Sequence, residues 1–140
     1  MMMSFRSLTR TSAKDYAALA ARFGLGIVML VHGLQKVGFI GDGSWIQSAT
    51  MLSGAIGIGL IAHLVIISEL FGSLALIAGF LGRLCAGAVL LIMLGAIVLV
   101  HAKNGFFMGN GGYEFHILAI ALSVVTMIRG SGAWSVDSVL

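Results

Sequence analysis

Long apolar runs, separated by short polar segments, dominate the hydrophobic pattern of this chain. A membrane-spanning α-helix needs about 20 largely apolar residues, because the hydrocarbon core is about 30 Å thick and each residue advances the helix by about 1.5 Å. Four windows come near that length, at residues 16–37, 60–81, 84–101 and 113–128. The runs are apolar on all sides rather than alternating, which favours helices over strands. The pattern therefore predicts an all-α membrane protein, a bundle of four transmembrane helices.

The connections between these windows carry further structural signals. Residues 79–83 form so short a turn that the second and third spans are expected to be antiparallel neighbours. Residues 38–59 are too apolar for an ordinary loop, and Ser44 is a residue type that caps helix N-termini. A short interfacial helix is predicted after it, lying at the outer membrane surface between spans one and two. The apolar positions that recur there at helical spacing are Trp45, Ala49, Leu52 and Ile56.

The composition supports the same class of protein. Hydrophobic residues make up 59% of the chain and charged residues 9%, with 20 glycines and no proline. Soluble domains average roughly 25% charged residues, so this chain could not build a surface suited to water. The formal net charge of +3 does not indicate nucleic-acid binding, because the basic residues are scattered at helix ends. A single cysteine, Cys85, excludes an internal disulfide and is interpreted as a packing residue.

The positions of lysine and arginine predict the orientation in the membrane, because cytoplasmic flanks carry an excess of basic residues. Most basic residues lie before the first window, between the second and third, or after the fourth. Both termini are therefore expected in the cytoplasm, with the protein in the cell inner membrane. Residues 1–15 are predicted to be a polar cytoplasmic segment and residues 16–140 a single membrane domain. The expected inner set is Arg6, Arg10, Lys14, Arg22, Arg83 and Arg129, and the outer set is Lys36 and Lys103.

One carboxylate, Glu69, lies within the second apolar window and is the first candidate for function. A charge at a helix centre costs about 2.5–3.5 kcal/mol on insertion scales, so the chain must offer it a partner or a wet cavity. His32, Gln35 and Lys36 share one face of the first helix, since residues three and four apart are neighbours. His32 is closest in depth to Glu69 and is the favoured partner. Glu69 and His32 are predicted to relay protons, while Gln35 and Lys36 bind the polar part of a substrate.

Other polar residues concentrate at the outer helix ends, whereas Arg22 is expected to extend toward the cytoplasm. His101, Asn104, Tyr113 and Glu114 are candidate substrate contacts at that rim. His63 and His116, like His101, are expected to lie at the membrane interface. A metal site built from these histidines is not favoured, because no close ligand pair such as His-x-x-x-His occurs.

Short motifs distributed along the chain resemble those of the DoxX family of small bacterial membrane proteins. The resemblance covers roughly residues 17–140 and implies a four-helix protein of the inner membrane. Some members are linked to thiosulfate:quinone oxidoreduction, and others to membrane-associated oxidoreductase complexes or oxidative-stress responses. The motifs are RFGLG at 22–26, HGLQK at 32–36, SELFG at 68–72, GFLGR at 79–83, HAKNGFF at 101–107, GGYE at 111–114 and AWSVD at 133–137.

These observations together predict the membrane subunit of an oxidoreductase system, with a polar pocket that opens to the periplasmic side. A quinone or a small sulfur or phenolic compound is the expected substrate. No dithiol or cofactor motif occurs, so an electron-carrying cofactor is expected from a redox partner protein rather than from this chain. Two alternatives remain open: a conduit for protons or a small solute, which would need a homo-oligomer to make room, and a membrane anchor that holds partner enzymes.

Overall fold

The computed structural model describes residues 12–140, and the regular secondary structure of these residues is entirely helical. Three stretches are long and apolar enough to cross a membrane: Ala13–Val37, Gly59–Ala78 and Gly82–Asn104. The fourth predicted window forms a helix of 16 residues, Glu114–Arg129, which is shorter than a typical span of about 20 residues. The prediction of an all-α protein with apolar spans is confirmed, with three helices meeting the length of a span. The α-helices are α1 Ala13–Val37, α2 Trp45–Ile56, α3 Gly59–Ile67, α4 Ser73–Ala78, α5 Gly82–Ala96 and α6 Glu114–Arg129.

Two of the long helices contain a π-helical turn. Ser68–Gly72 joins α3 to α4 into one continuous helix, and Ile97–His101 extends α5 toward Asn104. A π-helical turn is wider than an α-helical one and occurs often at functional sites. Both π-helical turns include residues that the sequence analysis selected, Glu69 in the first and His101 in the second.

Polar residues set the starts of the first two helices. The N–H of Ser12 donates to the carboxylate of Asp15 at 2.9 Å, which fixes the first turn of α1. The hydroxyl of Ser44 accepts from the N–H of Gln47 at 3.2 Å, so α2 begins where the capping pattern predicts. α1 ends at Gly38, whose φ of 83° is a left-handed conformation that terminates helices.

Four long helices pack in a ring around an apolar core. α1 lies between the α3–α4 helix and α6, while α5 completes the ring between α4 and α6, and α2 packs on α3. The α4–α5 contact confirms that the second and third spans are neighbours. The core is formed by buried apolar side chains from all four: Leu25 and Met29 of α1, Leu76 of α4, Val89 and Met93 of α5, and Ala119 of α6.

The outside of this ring is covered by exposed large apolar side chains. Leu91, Val98 and Leu118 are among them, and their exposure would be unfavourable in water. Hydrocarbon chains of a bilayer suit such a surface. The exposed apolar faces and the three long apolar helices identify a membrane protein.

The bundle has two ends of different construction. The tail end is where α1 and α5 begin and α4 and α6 end, and residues 130–140 fold back across it. The loop end is where residues 38–44 and residues 105–113 connect the helices.

Arg22 is buried at the tail end, so the expectation that it extends toward the cytoplasm is wrong. Its guanidinium donates to the carbonyl oxygens of Ser131 and Leu76, each at 2.9 Å. It also donates to those of Ile77 and Trp134. The last carbonyls of a helix have no partner within the helix, and an arginine can satisfy them. Arg22 therefore joins α1, the end of α4 and the carboxyl-terminal tail.

Asp137 ties the same tail to the start of α5. Its carboxylate accepts from the N–H groups of Leu81 at 2.7 Å and Gly82 at 3.1 Å, and from the hydroxyl of Ser131 at 2.6 Å. Asp15 accepts from the N–H of Ala133 at 3.1 Å and holds the tail to α1. The charged side chains at the tail end thus bond mainly to backbone groups.

Candidate functional site

Glu69 is buried inside the bundle, with 3% of its surface exposed. It lies in the π-helical turn Ser68–Gly72, where the hydroxyl of Ser73 donates to the carbonyl oxygens of Glu69 at 2.5 Å and Leu70 at 2.8 Å. Ser73 thus satisfies backbone acceptors in a turn whose hydrogen-bond ladder departs from the α-helical pattern.

The partner of Glu69 is Lys36. The sequence predicts His32 instead, because His32 is closest to Glu69 in depth, and this prediction is wrong. The ammonium of Lys36 lies 2.5 Å from one carboxylate oxygen of Glu69. No hydrogen bond joins His32 to Glu69 among residues 12–140. A buried carboxylate is stabilised best by a full positive charge, which lysine carries and neutral imidazole does not. The four-carbon stem of lysine also lets its charge reach inward from the last turn of α1.

Gly33 brings α1 into direct contact with the turn that carries Glu69. A Cβ atom at Gly33 would lie 3.0 Å from both the carbonyl carbon of Glu69 and the nitrogen of Leu70. Any larger side chain would push the two backbones apart. The absence of a side chain at Gly33 therefore sets the distance across which Lys36 reaches Glu69.

His32 begins a row of rings that continues across the loop end. Its imidazole lies 5.5 Å from the ring of Phe115, which lies 5.6 Å from the ring of His116. His116 in turn lies 4.3 Å from His101. Since His32 is one helical turn before Lys36 on the same face, the row starts beside the ion pair.

His116 is buried, which differs from its expected place at the membrane interface. Only 5% of its surface is exposed, and its Nδ1 atom has no hydrogen-bond partner among residues 12–140. Buried polar atoms are nearly always paired in proteins, so an unpaired one marks a place for a water molecule or a ligand. Sequence reasoning did not select His116 for the site, since one histidine near a helix start gives no signal of burial.

The glycine-rich loop is folded onto the end of this row. The carbonyl oxygen of Gly111 is 2.6 Å from Nδ1 of His101 and accepts from the side-chain amide of Asn104 at 3.1 Å. Tyr113 packs edge-on against Phe106 with ring centres 5.7 Å apart. The loop therefore fixes three of the residues predicted to bind substrate, His101, Asn104 and Tyr113.

A groove of about 360 Å³ opens on the surface beside the row of rings. Glu114 is the charged residue in the lining of the groove, and apolar residues form the rest. Phe115 belongs both to this groove and to the row of rings, which makes the two features continuous. The apolar lining consists of Phe106, Met108, Phe115, Ile117 and Leu118.

Two selected residues lie apart from this cluster. Gln35 is exposed on α1 and makes no side-chain hydrogen bond within the described residues. His63 is exposed and accepts from the indole N–H of Trp45 at 3.0 Å, with the two rings stacked. His63 thus holds α2 on α3 and does not join His101 and His116.

The arrangement combines proton-carrying groups with an apolar groove. Carboxylate, ammonium and imidazole groups can each exchange a proton, while the groove offers aromatic surface to a flat ring. The assignment of Glu69 and His32 to proton relay stays a prediction, as do the substrate contacts.

Comparisons with known proteins show the family of the chain. A family model described as DoxX matches residues 17–102. The chain is 32% identical over 124 residues to a protein of Bacillus subtilis (strain 168) named "Putative oxidoreductase CatD", covering 88% of this chain and 86% of that protein. No solved structure matches the chain. The length of these matches establishes that the chain belongs to the DoxX family.

Proposed function

We propose that this chain is the membrane subunit of an oxidoreductase system and binds a small ring compound, a quinone or a phenol, at the loop end. The main support for the proposal is the ion pair between Lys36 and the buried Glu69, which lies beside the row of rings and the apolar groove. Ionisable residues inside a membrane are functional candidates by default. The name of the Bacillus subtilis relative gives the class of reaction.

In this proposal the polypeptide crosses the bilayer four times, with both termini in the cytoplasm and the loop end outside. α6 is about 24 Å long at 1.5 Å per residue, somewhat less than the hydrocarbon core. Arg129 at its end can extend to the headgroups and make up part of the difference. α2 lies at the outer membrane surface with Trp45 among the headgroups.

The ring of the substrate occupies the groove against Phe115, and its oxygen atoms face the polar groups behind it. Reduction of a quinone to a quinol takes up two electrons and two protons. A partner enzyme, which holds the flavin or other electron carrier, supplies the electrons. Glu69, Lys36 and His32 pass the protons, and Glu114, in the lining of the groove, contacts the substrate.

The tail end favours this role over that of a conduit. A path for protons or solutes must continue through both halves of the bundle. Arg22 is 1% exposed, and its guanidinium is already bonded to four carbonyl oxygens. The exposed apolar faces of the helices suit contact with a partner subunit or with a second copy of this chain.

Quinone turnover in membranes that contain the chain and its native partners tests the proposal. We expect Glu69→Gln to lower the rate of quinone reduction at least about tenfold, as the removal of a proton-transfer group typically does. His63→Gln is the matched control, because His63 is exposed and outside the site. Equal rates for both variants and the parent would contradict the proposal.

Two further measurements separate the rival functions. The first measures proton flux into liposomes that contain only the purified chain. A flux that Glu69→Gln abolishes would favour a conduit. Partner recovery that depends on the chain, with quinone turnover unaffected by Glu69→Gln, would favour an anchor.

A further inference from the structure

A recess of about 510 Å³ lies at the tail end, where the start of α5 meets the end of α6. It is separate from the loop-end site, and its lining combines apolar surface, including Leu81 and Leu84, with basic and other polar side chains. The side chains that give it this character are Arg83, Arg129, Ser131, Ser135 and Ser138, together with Asp137.

The two arginines of this recess have no assigned partner. Within residues 12–140, neither Arg83 nor Arg129 makes a salt bridge or a side-chain hydrogen bond. The guanidinium of Arg83 lies against the backbone of Gly130, where a Cβ atom would be 3.2 Å from its Nε atom. Arg83 is therefore next to Arg129 in space, although the two are far apart in sequence. Two arginines that line the same recess can bind an anion together.

Asp137 offsets only part of this positive charge, because it carries one negative charge against the two positive charges of Arg83 and Arg129. Both of its carboxylate oxygens already accept hydrogen bonds, from Leu81, Gly82 and Ser131. The buried guanidinium of Arg22 also lies near enough to Asp137 to interact with its charge. A net positive charge thus remains at the recess.

The surface next to the recess is apolar and continues along the bundle. Leu84, Leu91 and Val98 follow one another at intervals of seven residues, so they form one stripe along the helix that starts at Gly82. They are 69%, 71% and 73% exposed. Ile128 is 71% exposed on the adjacent end of α6. An acyl chain could lie on this stripe while its headgroup occupied the recess.

We propose that this recess binds the phosphate headgroup of an anionic phospholipid, with Arg83 and Arg129 on the phosphate and the acyl chains along the Leu84 stripe. Basic pockets between membrane helices bind anionic headgroups in this way. Inorganic phosphate shares the same anion chemistry. The recess, at about 510 Å³, is many times larger than the roughly 30 Å³ that one water molecule takes up in the liquid. It is therefore far larger than a phosphate ion needs. A free phosphate ion also makes no use of the apolar stripe, whereas the acyl chains of a phospholipid do.

Native mass spectrometry of the full chain in a neutral detergent tests the proposal. Phosphatidylglycerol and phosphatidylcholine are added at equal concentration, and retained lipid is counted on the protein. We expect phosphatidylglycerol to be preferred. Arg83→Gln and Arg129→Gln should each weaken its retention about fivefold, because one basic residue near an anionic surface contributes about that factor. Lys103→Gln, at the loop end, is the matched control and should change nothing.

Three results would overturn the proposal. The first is equal retention of the two lipids by the parent protein, which needs no variant and so cannot be confused with misfolding. The second is unchanged retention in the Arg83→Gln, Arg129→Gln double variant when its circular dichroism matches the parent. The third is displacement of bound phosphatidylglycerol by millimolar inorganic phosphate, which would assign the recess to a free anion.

Discussion

At the tail end of the bundle, charged groups bond mainly to backbone atoms, whereas at the loop end two of them bond to one another. Arg22 and Asp137 fill the free carbonyl and N–H groups of helix ends, which leaves them little capacity for other chemistry. Lys36 and Glu69 pair directly, and His116 keeps an unpaired nitrogen. The difference separates a group of residues that holds the fold together from a group that is available to a ligand.

The largest effect should follow removal of Arg22. Arg22→Met would leave carbonyl oxygens of α4 and the tail without donors, and we expect it to lower the free energy of unfolding by at least about 5 kcal/mol. Thermal unfolding in detergent, followed by circular dichroism, measures this. Lys14→Met, an exposed change in the same helix, is the control. Equal melting temperatures for the two variants would show that the tail end is not held by Arg22.

The Lys36–Glu69 pair should show strong coupling in a double-mutant cycle. Lys36→Met leaves the buried carboxylate of Glu69 without a counter-charge, which should cost about 3–5 kcal/mol. The double variant Lys36→Met, Glu69→Gln removes both charges and should be more stable than Lys36→Met alone. Additive losses in the same unfolding measurement would mean that the two residues do not form a pair.

Gly33→Ala tests the close contact between α1 and the turn of Glu69. The added methyl group would meet backbone atoms at 3.0 Å, so we expect a loss of about 1–3 kcal/mol and weaker quinone turnover. Gly24→Ala is the matched control on the same helix, because no atom lies within 4 Å of its Cβ position. It should be neutral or stabilising by up to about 1 kcal/mol. Similar losses for both variants would indicate a general intolerance of α1 rather than this contact.

The smallest effect concerns the pH dependence of the tail end. The hydroxyl of Ser131, followed by the N–H groups of Gly82 and Leu81, lowers the pKa of Asp137 below its usual value. A lowered pKa contributes stability that is complete above the unfolded value of about 3.9 and is lost as the pH falls through the folded value. Asp137 is exposed, so the effect is discounted for solvent screening.

The melting temperature of Asp137→Asn should therefore lie about 2 °C or less below that of the parent at pH 7. This gap should close as the pH falls below about 3.9. Asp42→Asn, at the loop end, is the control. A gap that persists unchanged in acid would show that the charge of Asp137 does not stabilise the tail end.

The helices could be predicted from the sequence because apolar runs of this length have few alternatives. Residues 60–81 were predicted as a span, and the helix runs over Gly59–Ala78. Residues 113–128 gave the fourth helix, Glu114–Arg129, within one residue at each end. The π-helical turns could not be predicted, because the same apolar residues are compatible with an uninterrupted α-helix.

The candidate site could be predicted only in part. Glu69 stood out because a lone carboxylate in an apolar run needs an explanation. Its partner was misassigned, since sequence spacing gives the depth of Cα atoms but not the reach of a lysine side chain. The role of Arg22 depends on carbonyl groups more than fifty residues away, and no local pattern indicates them.

The bonds of Arg22 also impose an order on the biosynthesis of the protein. Arg22 is made early, but its acceptors Leu76 and Ile77 follow 54 and 55 residues later, and Ser131 and Trp134 follow 109 and 112 residues later. During translation the guanidinium must therefore stay hydrated or bound to lipid headgroups until the last helix has been synthesised. The arrival of residues 131–134 then supplies the remaining carbonyl partners of the guanidinium and shields it from water at the tail end.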